Sequence, residues 1–280
     1  MTNLPFRFGV SLFNVGSRSA WRARVREVES LGYDVLQVAD HLGLAAPFPA
    51  LVAAADVTSM RLGTFVLNAG ILSPTYLARD VADVHRLTDG RLELGLGAGY
   101  VPAEFEAVGV PFGTPGERLR KLESTLAATR ALLAAEDDSP VPPIMLGGAG
   151  DRMLRLAARE ADIFSFSIAA GMTAGLAPED ALARRVTLLR EAAGDRFGSI
   201  ELNLFIAAVG DSVDKLDLKI IRDASGLGDE QLTQLPGVLV GSPREIADQL
   251  VRYREEFGIS YISVLEPHMA AFAAVIKQLR

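Results

Sequence analysis

The run from Gly63 to Tyr100, GTFVLNAGILSPTYLARDVADVHRLTDGRLELGLGAGY, constrains the fold more than any other part of the chain. It reads as strand, loop, helix, turn and strand. Leu62, Thr64, Val66 and Leu67 suit a buried parallel strand, and Leu92, Leu94 and Leu96 repeat that signal after Asp89-Gly90 turns the chain. Between them Tyr76, Leu77, Val81, Val84 and Leu87 mark one side of a helix, with Arg79, Asp80, Asp83 and Arg86 on the other. A strand followed by a helix and a second strand is the crossover unit of a parallel sheet.

The same alternation continues along the whole chain. Strand signals lie at Phe6 to Leu12, Val35 to Val38, Leu62 to Leu67, Leu92 to Leu96, Ile144 to Leu146, Ile163 to Phe166, Leu202 to Val209 and Tyr261 to Leu265. Helical spacing separates them: Trp21, Val25, Val28 and Leu31; Leu119, Leu122, Leu126 and Leu133; Ile246, Leu250 and Tyr253. About eight strands in 280 residues match the ~250 residues of one closed barrel, so the expected fold class is α/β, a (β/α)8 barrel in a single domain over residues 1–280. Two longer connections, Tyr100 to Gly116 and Ser167 to Pro178, follow strands and would extend the loops at the strand C-terminal face, where barrels of this kind build their sites. From Asp211 to Leu235 the pattern reads as a helix, a break at Gly226-Leu227-Gly228 and a second short helix.

Composition narrows the chemistry. A formal charge of −7 argues against nucleic acid or an anionic membrane surface as a partner. There is no cysteine, which excludes disulfides, thiolate nucleophiles and thiolate metal sites. The three histidines, His41, His85 and His268, lack metal spacing, so no metal site is expected. Arg7 interrupts the first apolar stretch, which therefore does not read as a signal peptide, and no window is long enough to span a bilayer. The expectation is a cytoplasmic protein acting on a small molecule.

Three places could carry that chemistry. Asp40-His41 ends the second strand, where an imidazole oriented by an adjacent carboxylate could exchange a proton; a capping Asp beside a packed His is the alternative. Gly97-Ala98-Gly99 ends the fourth strand, either letting backbone approach a planar ligand or making a tight turn. Gly147-Gly148-Ala149-Gly150 opens a helix and offers free amides to an anion, although Asp151 opposes one. No G-x-G-x-x-G opens the first βα unit, so a dinucleotide site is not indicated. Glu266 and His268 close the last strand and read as a solvated capping pair, and His85 lies mid-helix as a structural residue.

Taken together, Asp40-His41, GTFVLN, GRLELGLGAGY and GGAG resemble the luciferase-like flavin and deazaflavin oxidoreductases, and the resemblance runs from Phe8-Gly9-Val10 to Ile262-Ser263-Val264. It is nearest to the F420-dependent branch. It implies an oxidoreductase transferring hydride between coenzyme F420 and a small organic substrate, with FMN and dioxygen, in a flavin-dependent monooxygenase, as the alternative. His41 and Asp40 would be catalytic, with Asp40 also contacting the ring. The resemblance places a cis peptide at Phe65-Val66, with Leu67 and Asn68 beside it, behind the ring. Gly97, Ala98, Gly99 and Tyr100 would border the cofactor, and Gly147, Gly148, Ala149 and Gly150 would take its phosphate. Sugar-phosphate dehydrogenases of the family carry a carboxylate where Tyr100 stands, so their proton-donor arrangement does not transfer directly. The resemblance implies an oligomer, with a homodimer as the default and Ala45 to Val57 and the helix after Pro74 as the candidate interface. Two readings outside this chemistry remain: a flavin- or deazaflavin-binding barrel without turnover, and a phosphate-binding isomerase or aldolase, which no strand-end lysine supports.

Overall fold

The computed structural model describes residues 4–135, 141–219, 221–222 and 226–280. Its strands are β1 (Arg7–Leu12), β2 (Val35–Val38), β3 (Arg61–Thr64), β4 (Leu67–Asn68), β5 (Leu92–Gly97), β6 (Ile144–Gly148), β7 (Ile163–Phe166), β8 (Glu201–Ile206), β9 (Ala208–Gly210), β10 (Val238–Val240) and β11 (Ile259–Leu265). The main sheet runs β3-β2-β1-β11-β8-β7-β6-β5-β4, and a further parallel pairing of β3 with β5 joins its ends. Because β3 and β4 both pair with β5 as two pieces of one strand, the ring has the eight positions of a (β/α)8 barrel. All eight expected strands are present. Every residue of β2, β5, β7 and β11 is buried, as in a sheet covered on both faces, so even Gln37, Glu93, Ser165, Ser260 and Ser263 lie inside.

Contacts divide the chain into two compact units, Met1–Ser11 with Val28–Asp34 and Gly148–Arg280, and Leu12–Glu27 with Val35–Gly147. In the second unit, most of α1 (Arg18–Ser30), together with α2 (Pro47–Ala55), α3 (Pro74–Leu87), α4 (Pro102–Ala107) and α5 (Pro115–Ala134), accompanies β2 to β5. Pro47, Pro74, Pro102 and Pro115 each start a helix at a position where the missing amide costs nothing. Thr114 and Glu117 close a reciprocal capping box on α5. Along α3 the buried face is Leu77, Ala78, Val81, Ala82, Val84 and His85. Tyr76 and Leu87, expected on that face, stand exposed, because the stripe is narrower than their hydrophobicity suggests. Buried His85 fits the structural role expected of it.

In the first unit, α6 (Asp151–Glu160), α7 (Pro178–Ala193) and the helices Pro243–Phe257 and Met269–Leu279 accompany β7, β8 and β11. Ser242 and Glu245 cap the helix that starts at Pro243, and Gly258, at φ 80°, ends it in the left-handed conformation. The single strand expected over Leu202 to Val209 is broken at Ala207, whose amide bonds Gly237. Beyond the break β9 leaves the main sheet and pairs with β10, forming a two-stranded sheet that the sequence did not announce. His268 is only 9% exposed, with the backbone of Ala207 and Val209 against its imidazole, so it is a packed residue rather than a solvated one; burial holds its pKa down. In the stretch from Asp211 to Leu235, the short helix after the glycines is Asp229–Leu232, and residues 220 and 223–225 of the expected first helix lie outside the described residues. Among the described residues no helix is long and apolar enough to cross a membrane.

Candidate active site

The expected strand from Leu62 to Leu67 is interrupted at a cis Phe65-Val66 peptide, which separates β3 from β4. The bulge throws Val66 across the bare backbone of the neighbouring strands. A Cβ at Gly97 would stand 2.7 Å from a Val66 methyl, and one at Gly147 would meet only Val66 methyls, at 3.6 and 3.8 Å. A Cβ at Gly99, whose φ is 77°, would run into the side chains of Asn68 and Phe105. The glycines at the ends of β5 and β6 therefore receive Val66, Asn68 and Phe105 as packing partners, a demand of the fold that the sequence left open beside ligand approach. Thr64 locks the same corner, its hydroxyl donating to Gly95 O at 2.9 Å and accepting from Gly95 N at 2.8 Å.

Beside this wall His41 is held by a carboxylate. Its Nδ1 lies 2.7 Å from Glu104 Oε1, which also accepts from the Leu42 amide at 3.3 Å. A carboxylate at Glu104 only accepts, so Nδ1 carries the proton, and in the neutral ring Nε2 is left as the acceptor. Tyr100 OH lies 3.2 Å from that Nε2 and donates to it when the ring is neutral, with its own ring edge-on to the imidazole at 5.6 Å between centroids. Tyr100 is exposed while Glu104 is buried, which makes the tyrosine the movable partner and the glutamate the fixed one.

This geometry corrects one expectation. The carboxylate orienting His41 is Glu104 on α4, and not the adjacent Asp40, whose Oδ2 accepts from the Asn68 amide at 2.9 Å. Asp40 thus pins β4 beside the cis bulge. Burial raises its pKa, the Asn68 amide draws it back, Glu104 pushes it up again and His41 opposes that. Asn68 in turn accepts from the Gly70 amide at 3.1 Å. Glu104 escaped the sequence reading because an acid in the first turn after Pro102 reads as a helix-dipole partner. Its one signal is position: four residues past Tyr100, one helical turn, beside the buried Phe105.

In the other unit, the Gly148–Gly150 turn leads into α6, whose cap position is Gly150 with no side-chain cap. A Cβ at Gly150 would meet nothing within 4 Å, so that backbone faces open space. Asp151 does not cap the helix; both its oxygens are taken by Arg184, at 3.2 and 3.0 Å, which lowers its pKa. The anion-repelling charge read from the sequence is therefore neutralised in place.

The family model described as luciferase-like monooxygenase matches residues 3–215. The chain belongs to the luciferase-like monooxygenase family. Enzymes of this family are monooxygenases and related oxidoreductases. A 5,10-methylenetetrahydromethanopterin reductase of Methanolobus tindarius is 29% identical over 152 residues, 48% of this chain and 45% of the reductase. The chain thus spans about half the length of the curated relatives it matches. The solved coenzyme F420 dependent tetrahydromethanopterin reductase of Methanopyrus kandleri superposes with a TM-score of 0.71 at 17% identity, covering 98% of both chains. EDTA monooxygenase from Chelativorans sp. BNC1 superposes with a TM-score of 0.76 at 16% identity, covering 99% of this chain and 93% of that one. At such identities these structures establish the luciferase-like barrel fold alone.

Proposed function

We propose that this luciferase-like protein is a coenzyme F420-dependent oxidoreductase that moves hydride between the deazaflavin and a small organic substrate. The observation that carries the reading is the His41–Glu104 pair, which leaves a basic Nε2 under a displaceable tyrosine. The similarity to a methylenetetrahydromethanopterin reductase supports the cofactor assignment. The residues present suit such a group: the cis Phe65-Val66 wall with Leu67 and Asn68 offers a fixed backing for a flat ring, edged by Asp40, Gly97, Ala98, Gly99 and Tyr100. Gly147, Gly148, Ala149 and Gly150 offer uncapped amides for a phosphate.

When bound, the deazaflavin supplies the hydride acceptor or donor. The chain's own residues handle the proton. Swinging Tyr100 aside exposes Nε2, which takes a proton from a substrate hydroxyl or amine in one direction and returns it in the other. Glu104 keeps Nδ1–H in place and stabilises the imidazolium formed, while Asp40 keeps Asn68 and the wall in register.

Titration of the purified protein with F420 and with FMN, followed by absorbance and fluorescence, tests the cofactor. F420 is expected to bind. Tight FMN binding without F420 binding would overturn the assignment in favour of a flavin-dependent monooxygenase. Ligand binding that survives without any turnover on a broad substrate panel would favour a carrier.

We also propose a homodimer. Between α1, α2 and α3 lies a groove of about 730 Å³ floored by Trp21, Phe48 and Val52. Arg18 and Arg22 line it together with Asp56, Asp80 and Asp83, so the patch carries both signs. A second copy related by a two-fold axis would set arginines against aspartates twice over. Light scattering should give twice the chain mass for the native protein and a shift toward monomer for Asp80→Arg with Asp83→Arg. A native monomer at micromolar concentration would refute the dimer.

A further inference from the structure

The turn that follows His41 is built of unusual residues for a surface turn. Leu44 N closes it by donating to His41 O at 3.0 Å, and Gly43, at φ 91°, supplies its left-handed position. Leu42 and Leu44 fill the rest, 58% and 36% exposed, where asparagine, aspartate or serine is the ordinary choice. Both ends are pinned: Leu42 N donates to Glu104 Oε1, the oxygen that holds His41, and Ala45 N donates to Phe13 O at 2.8 Å. Single leucines on a surface are commonplace, but these two share one anchored turn, and its carboxylate anchor is that of the base.

Charge is missing from the same rim. In the unit containing Val35–Gly147, the connections at the strand C-terminal ends are residues 13–17, 39–46, 69–73 and 98–101. Their only ionisable side chains are Asp40, His41 and Tyr100. Asp40 accepts from the Asn68 amide, and His41 is bonded to Glu104 and Tyr100. The first cation of each following helix is engaged elsewhere: Arg18 lines the groove between α1, α2 and α3, Arg79 bonds Asp80 at 2.8 Å, and Arg118 donates to Gly99 O and Gly113 O at 3.0 and 2.9 Å. Helices α2 and α4 contain no cation. In the other unit the connection after β7, residues 167–177, also carries no ionisable side chain. An anionic substrate needs a fixed cation to replace its hydration, and among the described residues these connections supply none.

We propose that Leu42 and Leu44 are the specificity-determining residues of this site, and that they select an uncharged alcohol, or in the reverse direction its carbonyl compound, by its hydrocarbon chain. The substrate hydroxyl then meets His41 Nε2. This deepens the function proposed above and rests on it. In oxidation the carbinol C–H leaves as hydride to the deazaflavin and the O–H proton goes to Nε2, which leaves C=O on the substrate; reduction is the reverse.

The full chain is titrated by calorimetry with 2-butanol, 2-hexanol and 2-octanol, and with 5-hydroxyhexanoate and 6-amino-2-hexanol as charged compounds of the middle length. Reduced F420 is present, with which an alcohol cannot react, and F420 binding is measured separately. Affinity should rise about threefold for each added CH2. Both charged compounds should bind about tenfold more weakly than 2-hexanol. The pair Leu42→Asn with Leu44→Asn puts ordinary turn residues in place, and should flatten the alcohol series to within about twofold while leaving F420 affinity within about twofold. Leu42→Arg should raise binding of 5-hydroxyhexanoate relative to 2-hexanol by about tenfold. A charged compound that binds the native protein as tightly as 2-hexanol, alcohols that do not bind or ignore chain length, or a chain-length dependence that survives the asparagine pair would overturn the role of the turn. So would a shift of the asparagine pair toward monomer in light scattering, which would assign the leucines to a subunit interface. If F420 binds and the alcohols fail, the substrate class alone falls; if F420 does not bind, the proposed function falls with it.

Discussion

Replacing His41 by Gln is expected to lower turnover by about 100-fold or more while leaving cofactor affinity within about twofold, because a positioned general base contributes to rate rather than to ground-state binding. Glu104 holds the imidazole through Nδ1, which leaves Nε2 on the side away from that anchor. Glu104 acts through it, and its variants should grade accordingly. In Glu104→Gln the amide oxygen still accepts Nδ1–H, so the tautomer survives and only stabilisation of the charged imidazole is lost. Glu104→Ala also frees Nδ1 to exchange tautomers and leaves the Leu42 amide unpaired, so it should fall further, toward His41→Gln. Steady-state kinetics with separate cofactor titration would check the ordering. If Glu104→Ala were more active than Glu104→Gln, the carboxylate would not be the group that orients the base.

The second large effect is structural. Gly95→Ala should cost about 3 kcal/mol or more and drop the Tm by about 10 °C, or prevent soluble expression, because overpacking against backbone cannot be relieved by a rotamer change. The added methyl would stand 2.0 Å from the Thr64 carbonyl oxygen and 3.0 Å from Val66 Cγ1. Relief would require moving the end of β3 away from β5, which breaks the paired Thr64–Gly95 hydrogen bonds and the strand pairing that closes the sheet. Gly198→Ala serves as the control, since its Cβ would meet nothing within 4 Å. It should unfold within about 1 °C to 2 °C of the native protein, as an unstrained surface substitution does. Thermal melts of the two variants side by side decide the matter, and an unperturbed Gly95→Ala would mean that the β3 to β5 corner is looser than drawn.

The barrel was legible because short strand signals recur between helical ones along the whole chain: Leu92, Leu94 and Leu96 mark β5, and Ile259, Tyr261, Ile262, Val264 and Leu265 mark β11. Pro74, Pro115 and Pro243 each stand at the first position of a helix, a local signal of the same kind. What failed to show were features set by contacts between segments far apart in sequence. Ala207 lies inside an unbroken apolar run, and only the Gly237 carbonyl reached by its amide ends β8 there. Glu104 looks like any acid in a first helical turn until α4 brings it under His41. Neutralisation of Asp151 by Arg184, 33 residues away, carried no signal either. Tyr76 shows the reverse error, in which an aromatic ring at the edge of a stripe is taken for core.

A crystal structure of this chain soaked with F420 would test the central claim most directly. The account predicts the deazaflavin ring against the Phe65-Val66 peptide, with Tyr100 displaced and His41 Nε2 open toward the reacting face. A ring bound elsewhere, or one lying over the wall with Tyr100 still bonded to His41 and no path from Nε2 to the substrate side, would contradict it.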